Sequence, residues 1–412
     1  MSVLRDISNG DGNLTRQLLF LVEPGREWIG GVYYVRNILK TLSFAPWFQE
    51  CFIHVLVRKE FRETFAMLAN DIAHFQLHDR REAKPLLERL TTPFLKRLGK
   101  IYDVQIAHVA RQIQADLVFP VSFYPFLGVR GTQVHWIPDF QELHLPQYFS
   151  ASELEKRARL YRGIAKGTNP LILSSRSSQA DWERCAPTCR NRTWILPFIS
   201  DIEAEIAGLD AAKEAALLDE VGLWSEGAAK PYVYVPNQFW QHKNHELVLD
   251  ALELLQKRGA SLPTVVCTGN VADHRSKDHA THIWARVEAS GLAESFRILS
   301  MVRRPQQLAI MKNARAVLQP SRFEGWNTGI MEAMRLGRPL LMSSLDVHRE
   351  QAPEDAHFFA PDSAVQLADL LGRDWPESRV SEAILKERNG AAAVRFVESV
   401  RELFLGTELM SQ

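Results

Sequence analysis

The chain has 412 residues, enough for two or three domains, and its 46% hydrophobic and 24% charged content excludes a disordered or fibrous protein. It has no run of 18 apolar residues, which argues against a membrane span, and its polar start, with Asp6 and Asp11, does not read as a signal peptide. Net charge is zero but uneven: residues 1–198 hold 26 Lys and Arg against 19 Asp and Glu, and the remainder holds 23 against 30. A basic half beside an acidic half can steer an anionic ligand or face an anionic membrane; mutual attraction of two lobes explains it equally well.

Gln17–Val22, apolar from Leu18 onward, reads as a buried parallel strand. A loop follows that ends in Gly30 and Gly31, and a helix is expected from Val32 to Lys40. A strand, a glycine turn and a helix start form a candidate anion site, although tight turns alone account for most Gly pairs. Phe52–Val57 is the next strand, followed by a helical stretch near Lys59–Ala69. Residues 79–114 read as mostly helical and basic, with Arg80, Arg81, Lys84, Arg89, Lys96, Arg97 and Lys100. Such a segment could lie on an acidic lipid surface, but Pro85 and Pro93 interrupt it and favour a solvated face. Asp116–Pro120 and Thr132–Pro138 are strand-like, and Asp139 follows the second, at the strand end where open α/β sheets place ligands. Ser152–Lys166 is helical, and Leu171–Ser175 and Thr193–Pro197 close the first series as strands.

The segment 202–227 reads as a connecting helix and loop. A second series opens with Tyr232–Val235, the polar loop Pro236–Asn244 and a clear helix, His245–Lys257. Further strands are expected at 264–267, 296–299, 316–319 and 339–342, with helices near 279–290 and 305–312 and a closing helix over Ala392–Leu405. Strands alternating with helices in both halves predict two parallel, doubly wound domains. Cys51, Cys185, Cys189 and Cys267 are sparse and irregularly spaced, so reduced thiols are expected and a zinc site is not.

The most informative stretch is Pro320–Ala333. It lies between the apolar run Ala316–Gln319 and the helix formers Ile330–Leu336, which end at Gly337. A strand, a Gly-containing loop and a helix start direct unpaired N–H groups and the positive end of a helix dipole at one place, which suits a phosphate. Glu324 and Glu332 would repel phosphate and are better suited to sugar hydroxyls. An ordinary buried turn with a solvated glutamate is about as good a reading of the loop taken alone.

These residues resemble the family 4 retaining glycosyltransferases (glycosyltransferase group 1). The resemblance rests chiefly on Pro320–Ala333 with Gly337–Pro339, and also on Val235–Asn244, Gly30-Gly31, Ile137–Pro146, Ser174–Ser177 and His348–Pro361. It implies an α/β, GT-B fold: two Rossmann-like doubly wound parallel-sheet domains facing an interdomain cleft. Residues 1–198 would be the acceptor side, 199–390 the nucleotide-sugar side, and 391–412 a helix packing back on the first domain. By the same resemblance Lys243 would bind the donor diphosphate, Glu332 the donor ribose, and Glu324 would sit at the transferred sugar, with Asp139 as a second catalytic candidate. Asn327, Thr328, Gly329 and Ile330 would offer backbone N–H groups to phosphate, with Gly30, Gly31 and Asn237 also in the donor set. The charge on the leaving diphosphate could then be met without metal, and the sequence has no Asp-x-Asp signature.

Two positions depart from the family pattern. Asn237 stands where the family often has Arg, so Arg303 or Arg322 is a candidate substitute. Pro138 stands where it often has His, leaving His135 or His144 as candidates for sugar contact. The expected activity is metal-independent transfer of a sugar, with retention, from a nucleotide donor to a glycan or lipid-linked saccharide. No other cofactor and no nucleic acid are expected, and the location is cytoplasmic with scope for peripheral contact with an anionic membrane. A non-catalytic GT-B-like binding or scaffold protein is the alternative, with a sugar-nucleotide epimerase a weaker third reading. The sequence does not name the donor base, sugar or acceptor.

Overall fold

The computed structural model describes residues 16–22, 29–81, 95, 100–122, 124–200, 202–271, 276, 278–375 and 382–405. By internal contacts the chain divides into two units, Met1–Asp201 with Arg388–Gln412, and Ile202–Glu387.

The first unit holds a seven-stranded sheet. Its strands are β1 (Gln17–Leu21), β2 (Phe52–Arg58), β3 (Phe75–Arg80), β4 (Leu117–Val121), β5 (Thr132–Ile137), β6 (Leu171–Leu173) and β7 (Thr193–Ile195), in the order β3-β2-β1-β4-β5-β6-β7. Every pairing in it is parallel. The continuous apolar runs of β1 and β4 are explained by burial on both faces, as a sheet covered by helices requires. Tyr34, on the helix Ile29–Leu42, stacks on Trp136 of β5 at 4.2 Å and donates its hydroxyl to the Leu196 carbonyl at 3.1 Å. The closing helix, Glu382–Leu405, places Phe396, Val397, Val400, Leu403 and Phe404 in this unit's core, with the Phe404 ring 5.7 Å from that of Phe20. Those positions recur at the spacing of one helix face, which is why the helix finds a buried seat.

The second unit begins with the helices Glu203–Ala207 and Ala211–Asp219, followed by a small antiparallel pair, β8 (Trp224–Ser225) and β9 (Ala228–Ala229). Its main sheet contains β10 (Val233–Val235), β11 (Val265–Cys267), β12 (Phe296–Ile298), β13 (Ala316–Gln319), β14 (Leu340–Ser343) and β15 (His357–Phe359). Their order is β12-β11-β10-β13-β14-β15, again wholly parallel. The strand order reverses between β1 and β4 in one sheet and between β10 and β13 in the other. Chain segments diverge to opposite faces at such a point and leave a crevice beyond the strands' carboxyl ends.

Several local expectations change. β3 is not among the expected strands, and its last two residues, Asp79 and Arg80, fall in the stretch 79–114 that reads as mostly helical. It alternates polar and apolar residues at a sheet edge, so it lacks the apolar run that marks a central strand. Val104–Gln112 is a helix of that stretch, capped by Asp103, whose carboxylate also receives both Arg80 terminal nitrogens, Nη1 at 2.8 Å. Arg80 is therefore committed to a buried carboxylate. Arg81 and Lys100 are the other described members of the basic set; Lys84, Arg89, Lys96 and Arg97 lie outside the described residues. No helix among the described residues is long and apolar enough to cross a membrane.

Candidate active site

The crevice between β10 and β13 gathers most of the residues singled out in the sequence. β10 runs into Pro236 and the buried Asn237, then into a short 3-10 turn, Gln241–Lys243. Asn244 follows at φ +61°, a left-handed conformation that Asn tolerates better than most side chains. Its Nδ2 donates to the Pro320 carbonyl at 3.0 Å and the Pro361 carbonyl at 2.9 Å, and its Oδ1 accepts from Arg322 Nε at 3.0 Å. The Arg322 amide donates to the His242 carbonyl at 2.7 Å. These bonds lash the loop after β10 to the loop after β13.

That lashing sets Lys243 Nζ 2.6 Å from Glu324 Oε1. The same oxygen accepts from Ser321 Oγ at 2.6 Å and from Asn327 Nδ2 at 3.2 Å, while Oε2 accepts from nothing among the described residues. Burial alone would raise the Glu324 carboxyl, but Lys243, followed by His242 and His348, outweighs it and holds the carboxyl below its ordinary value. Glu324 is thus an anion with one lone-pair face committed and one open.

The helix Thr328–Arg335 starts here with Asn327 as its cap, Oδ1 accepting from the Ile330 amide at 3.3 Å. The Asn327 amide is taken by Gln351 Oε1 at 3.1 Å. Of the four amides expected to face phosphate, those of Asn327 and Ile330 are therefore spent, and those of Thr328 and Gly329 have no partner among the described residues. Gly329 is needed for a close approach: an added Cβ would stand 2.8 Å from Gln319 Nε2 and 3.2 Å from Asn327 Oδ1. Gln319, which closes β13 and is fully buried, accepts on Oε1 from Asn237 Nδ2 at 2.9 Å and Asn327 Nδ2 at 3.0 Å, and its own Nε2 has no partner.

Glu332 is the fifth residue of that helix, on its second turn, because the helix begins at Thr328 and not after Gly329. Its carboxylate is gripped two-fold by Arg304, at 2.8 and 3.1 Å. Each oxygen keeps a lone pair for a further donor. His348 packs from the helix Asp346–Gln351, with Nδ1 2.9 Å from the Ser343 carbonyl and Nε2 unpartnered. Burial, against the pull of Glu324, lowers its pKa. Neither suggested replacement for the missing arginine lies free here: Arg303 pairs with Glu220, 2.5 Å away, and Arg322 binds Asn244.

In the first unit Gly30 and Gly31 lie in the first turn of the helix Ile29–Leu42, which starts earlier than expected; the loop before it lies outside the described residues. Asp139, just past β5, accepts on Oδ1 from the Gln141 amide at 3.1 Å, an Asx turn that launches the short helix Gln141–His144. His135 is buried with Nδ1 3.3 Å from the Val121 carbonyl, a structural setting. His144 Nε2 lies 2.9 Å from the buried Asp181. Among the described residues no group of three or more His, Cys, Asp or Glu side chains is placed to hold a metal ion.

Residues 230–373, which include this whole crevice, match the family model described as glycosyl transferases group 1. The second unit carries a group 1 glycosyltransferase domain. Solved structures agree on the fold over most of the chain. Anabaena HepE, solved with UDP and glucose, matches at TM-score 0.61 and 15% identity, covering 95% of this chain and 100% of its own. Sucrose-phosphate synthase of Thermosynechococcus elongatus matches at TM-score 0.65 and 16% identity, covering 95% and 100%. WaaG, a glycosyltransferase of lipopolysaccharide biosynthesis, matches at TM-score 0.54 and 15% identity, covering 95% and 96%. The architecture is GT-B, with two Rossmann-like units. Comparison with curated protein sequences gives no match.

The sequence reading missed Gln319, Gln351 and Arg304. Gln319 left a trace, a lone amide closing an otherwise apolar strand. Gln351 and Arg304 left none, because their partners lie 24 and 28 residues away along the chain.

Proposed function

We propose that the protein transfers a sugar from a nucleoside-diphosphate donor to a hydroxyl acceptor, with the donor's diphosphate held in the β10–β13 crevice. The observation that carries this reading is that Lys243 and the helix cap Asn327 share Glu324 Oε1, at the start of a helix whose Thr328 and Gly329 amides have no partner among the described residues, within the stretch that matches glycosyl transferases group 1. A cation and a helix N-terminus together form an anion site, and they meet charge as it builds on the leaving diphosphate without rearranging. In this reading the open face of Glu324 accepts a hydroxyl of the transferred sugar. Glu332, oriented by Arg304, accepts from the ribose. Transfer proceeds with retention, and no metal is called for. The UDP-bound HepE structures favour a uridine donor over other bases. The acceptor is a glycan or a lipid-linked saccharide bound by the first unit, with Asp139 as a second catalytic candidate and the Gly30-Gly31 helix start serving the donor.

A panel of UDP- and GDP-sugars, followed for nucleoside-diphosphate release with candidate saccharide acceptors present, tests the reading. Acceptor-dependent release from at least one donor is expected. Binding of nucleoside diphosphate without any release would instead mark a non-catalytic GT-B protein, the outcome that the Asn237 substitution favours.

A further inference from the structure

The group 1 signature explains Lys243, Glu324 and the helix Thr328–Arg335, but not Gln351, which is buried on the neighbouring helix Asp346–Gln351. Its side-chain amide lies edge-on against the peptide groups of Asn327. Oε1 accepts from the Asn327 amide at 3.1 Å and Nε2 donates to the Asn327 carbonyl at 3.0 Å. This is the pairing of two neighbouring strands compressed into one side chain, and it fixes the backbone of Asn327 on both sides of its Cα. The side chain of Asn327 is fixed as well. Oδ1 caps Ile330, and Nδ2 is shared between Gln319 Oε1 and Glu324 Oε1. Every polar atom of the cap residue is therefore engaged, and the order of engagement decides which amides remain for a ligand.

We infer that Gln351 is a positioning residue for the donor diphosphate: by consuming the Asn327 N–H and locking the cap, it restricts the anion to the Thr328 and Gly329 amides beside Lys243. The inference rests on the donor reading above and deepens it, since it names which amides read the phosphate. The physical ground is pre-organisation. A loop free to rotate about Asn327 would spread its amides over several directions and would have to be ordered again on each binding event. The clamp does this once, in folding. Gln351 touches no ligand in this scheme and acts only through the Asn327 peptide. The choice of residue type follows: only a carboxamide offers one acceptor and one donor side by side in a plane, matching a backbone N–H and C=O.

Gln351→Met keeps the length and apolar stem while removing both polar atoms. Titration of parent and variant with UDP and with uridine, and likewise with GDP and guanosine, separates a phosphate effect from a general one. The expected result is diphosphate affinity weaker by about tenfold with nucleoside affinity unchanged, the size of effect given by one lost hydrogen-bonded contact. A merely structural glutamine would lower the thermal midpoint and leave the ratio of the two affinities as in the parent, and that outcome overturns the inference. If Gln351→Met does not fold, Gln351→Glu, which keeps an acceptor for the Asn327 amide and loses the donor, supplies the same ratio and is expected to fall between. A parent that binds neither diphosphate overturns the donor reading and this inference together. A parent that binds one, with an unchanged ratio in the variants, overturns this inference alone.

Discussion

The polar groups that follow β10 and β13 in the second unit are arranged differently from those that follow β5 in the first. Between β10 and β13 the polar groups interlock: Asn237, Gln319, Asn327, Glu324, Lys243, Ser321 and Gln351 form one connected set of hydrogen bonds, nearly all out of contact with water. In the first unit the polar groups past β5 gather in threes, with His144 and Arg184 on Asp181, and Arg157 and Tyr161 on Glu142. Burial raises the Tyr161 hydroxyl, reinforced by Glu142, so it stays a proton donor to that carboxylate. A connected buried network holds its atoms to a fraction of an ångström, because moving one leaves several unsatisfied. Threes in which His144, Arg157 and Arg184 reach solvent hold less tightly. The difference suits a site that recognises one fixed chemical group in the second unit, and a surface that tolerates variation in the first.

Removing Lys243 should break the network most severely. Lys243→Ala leaves Glu324 buried without its cation, which should cost about 3–5 kcal/mol of stability, read as a fall in the denaturant midpoint. Glu324→Gln in the same chain should recover much of the loss, because the stranded charge is then gone. The pH dependence has a definite sign. The carboxyl of Glu324 is lowered in the folded state from its ordinary 4.5, so its contribution is complete above that pH and is lost as pH falls through the folded value. A Lys243→Ala protein as acid-sensitive as the parent would show that the pair is not what holds the loop.

Gly329→Ala is the next largest. The new Cβ would press on Gln319 Nε2 at 2.8 Å, an atom pinned in place because Gln319 Oε1 holds two donors. A loss of about 1–3 kcal/mol is expected, the usual cost of overpacking, together with weaker diphosphate binding. An unchanged midpoint would mean that the network gives way more easily than its connectivity implies.

Glu142→Gln is the matching change in the first unit and should be the mildest. It keeps an acceptor for Tyr161 and loses only the charge facing Arg157, whose side chain is 39% exposed. A loss of about 1 kcal/mol is expected, with nucleoside-diphosphate affinity as in the parent by calorimetry. A marked fall in that affinity would end the contrast drawn between the two units.

Much of this was legible in the sequence where the signal was local. β1, β10 and β13 announce themselves as apolar runs because they are buried on both faces, and Pro320–Gly337 announces the loop and helix that follow. β3 and β15 did not, since an edge strand such as Phe75–Arg80 needs apolar residues on one side only and His357–Phe359 is three residues long. Lys243 and Glu324 were identifiable by residue type, but their pairing joins positions 81 apart. The same holds for Arg304 on Glu332, which half-commits a glutamate expected at the donor ribose. Local chemistry shows in a single sequence; which distant side chain completes it depends on the fold.

Hydrogen–deuterium exchange of the parent, with and without saturating UDP or GDP, tests most directly whether the β10–β13 crevice holds the donor diphosphate. The account predicts slowed exchange in peptides spanning Glu324–Met331, where the Thr328 and Gly329 amides gain an acceptor, and little change in peptides from β5 to the helix Ala151–Ala165. No protection by either nucleotide, or protection confined to the first unit, would contradict it.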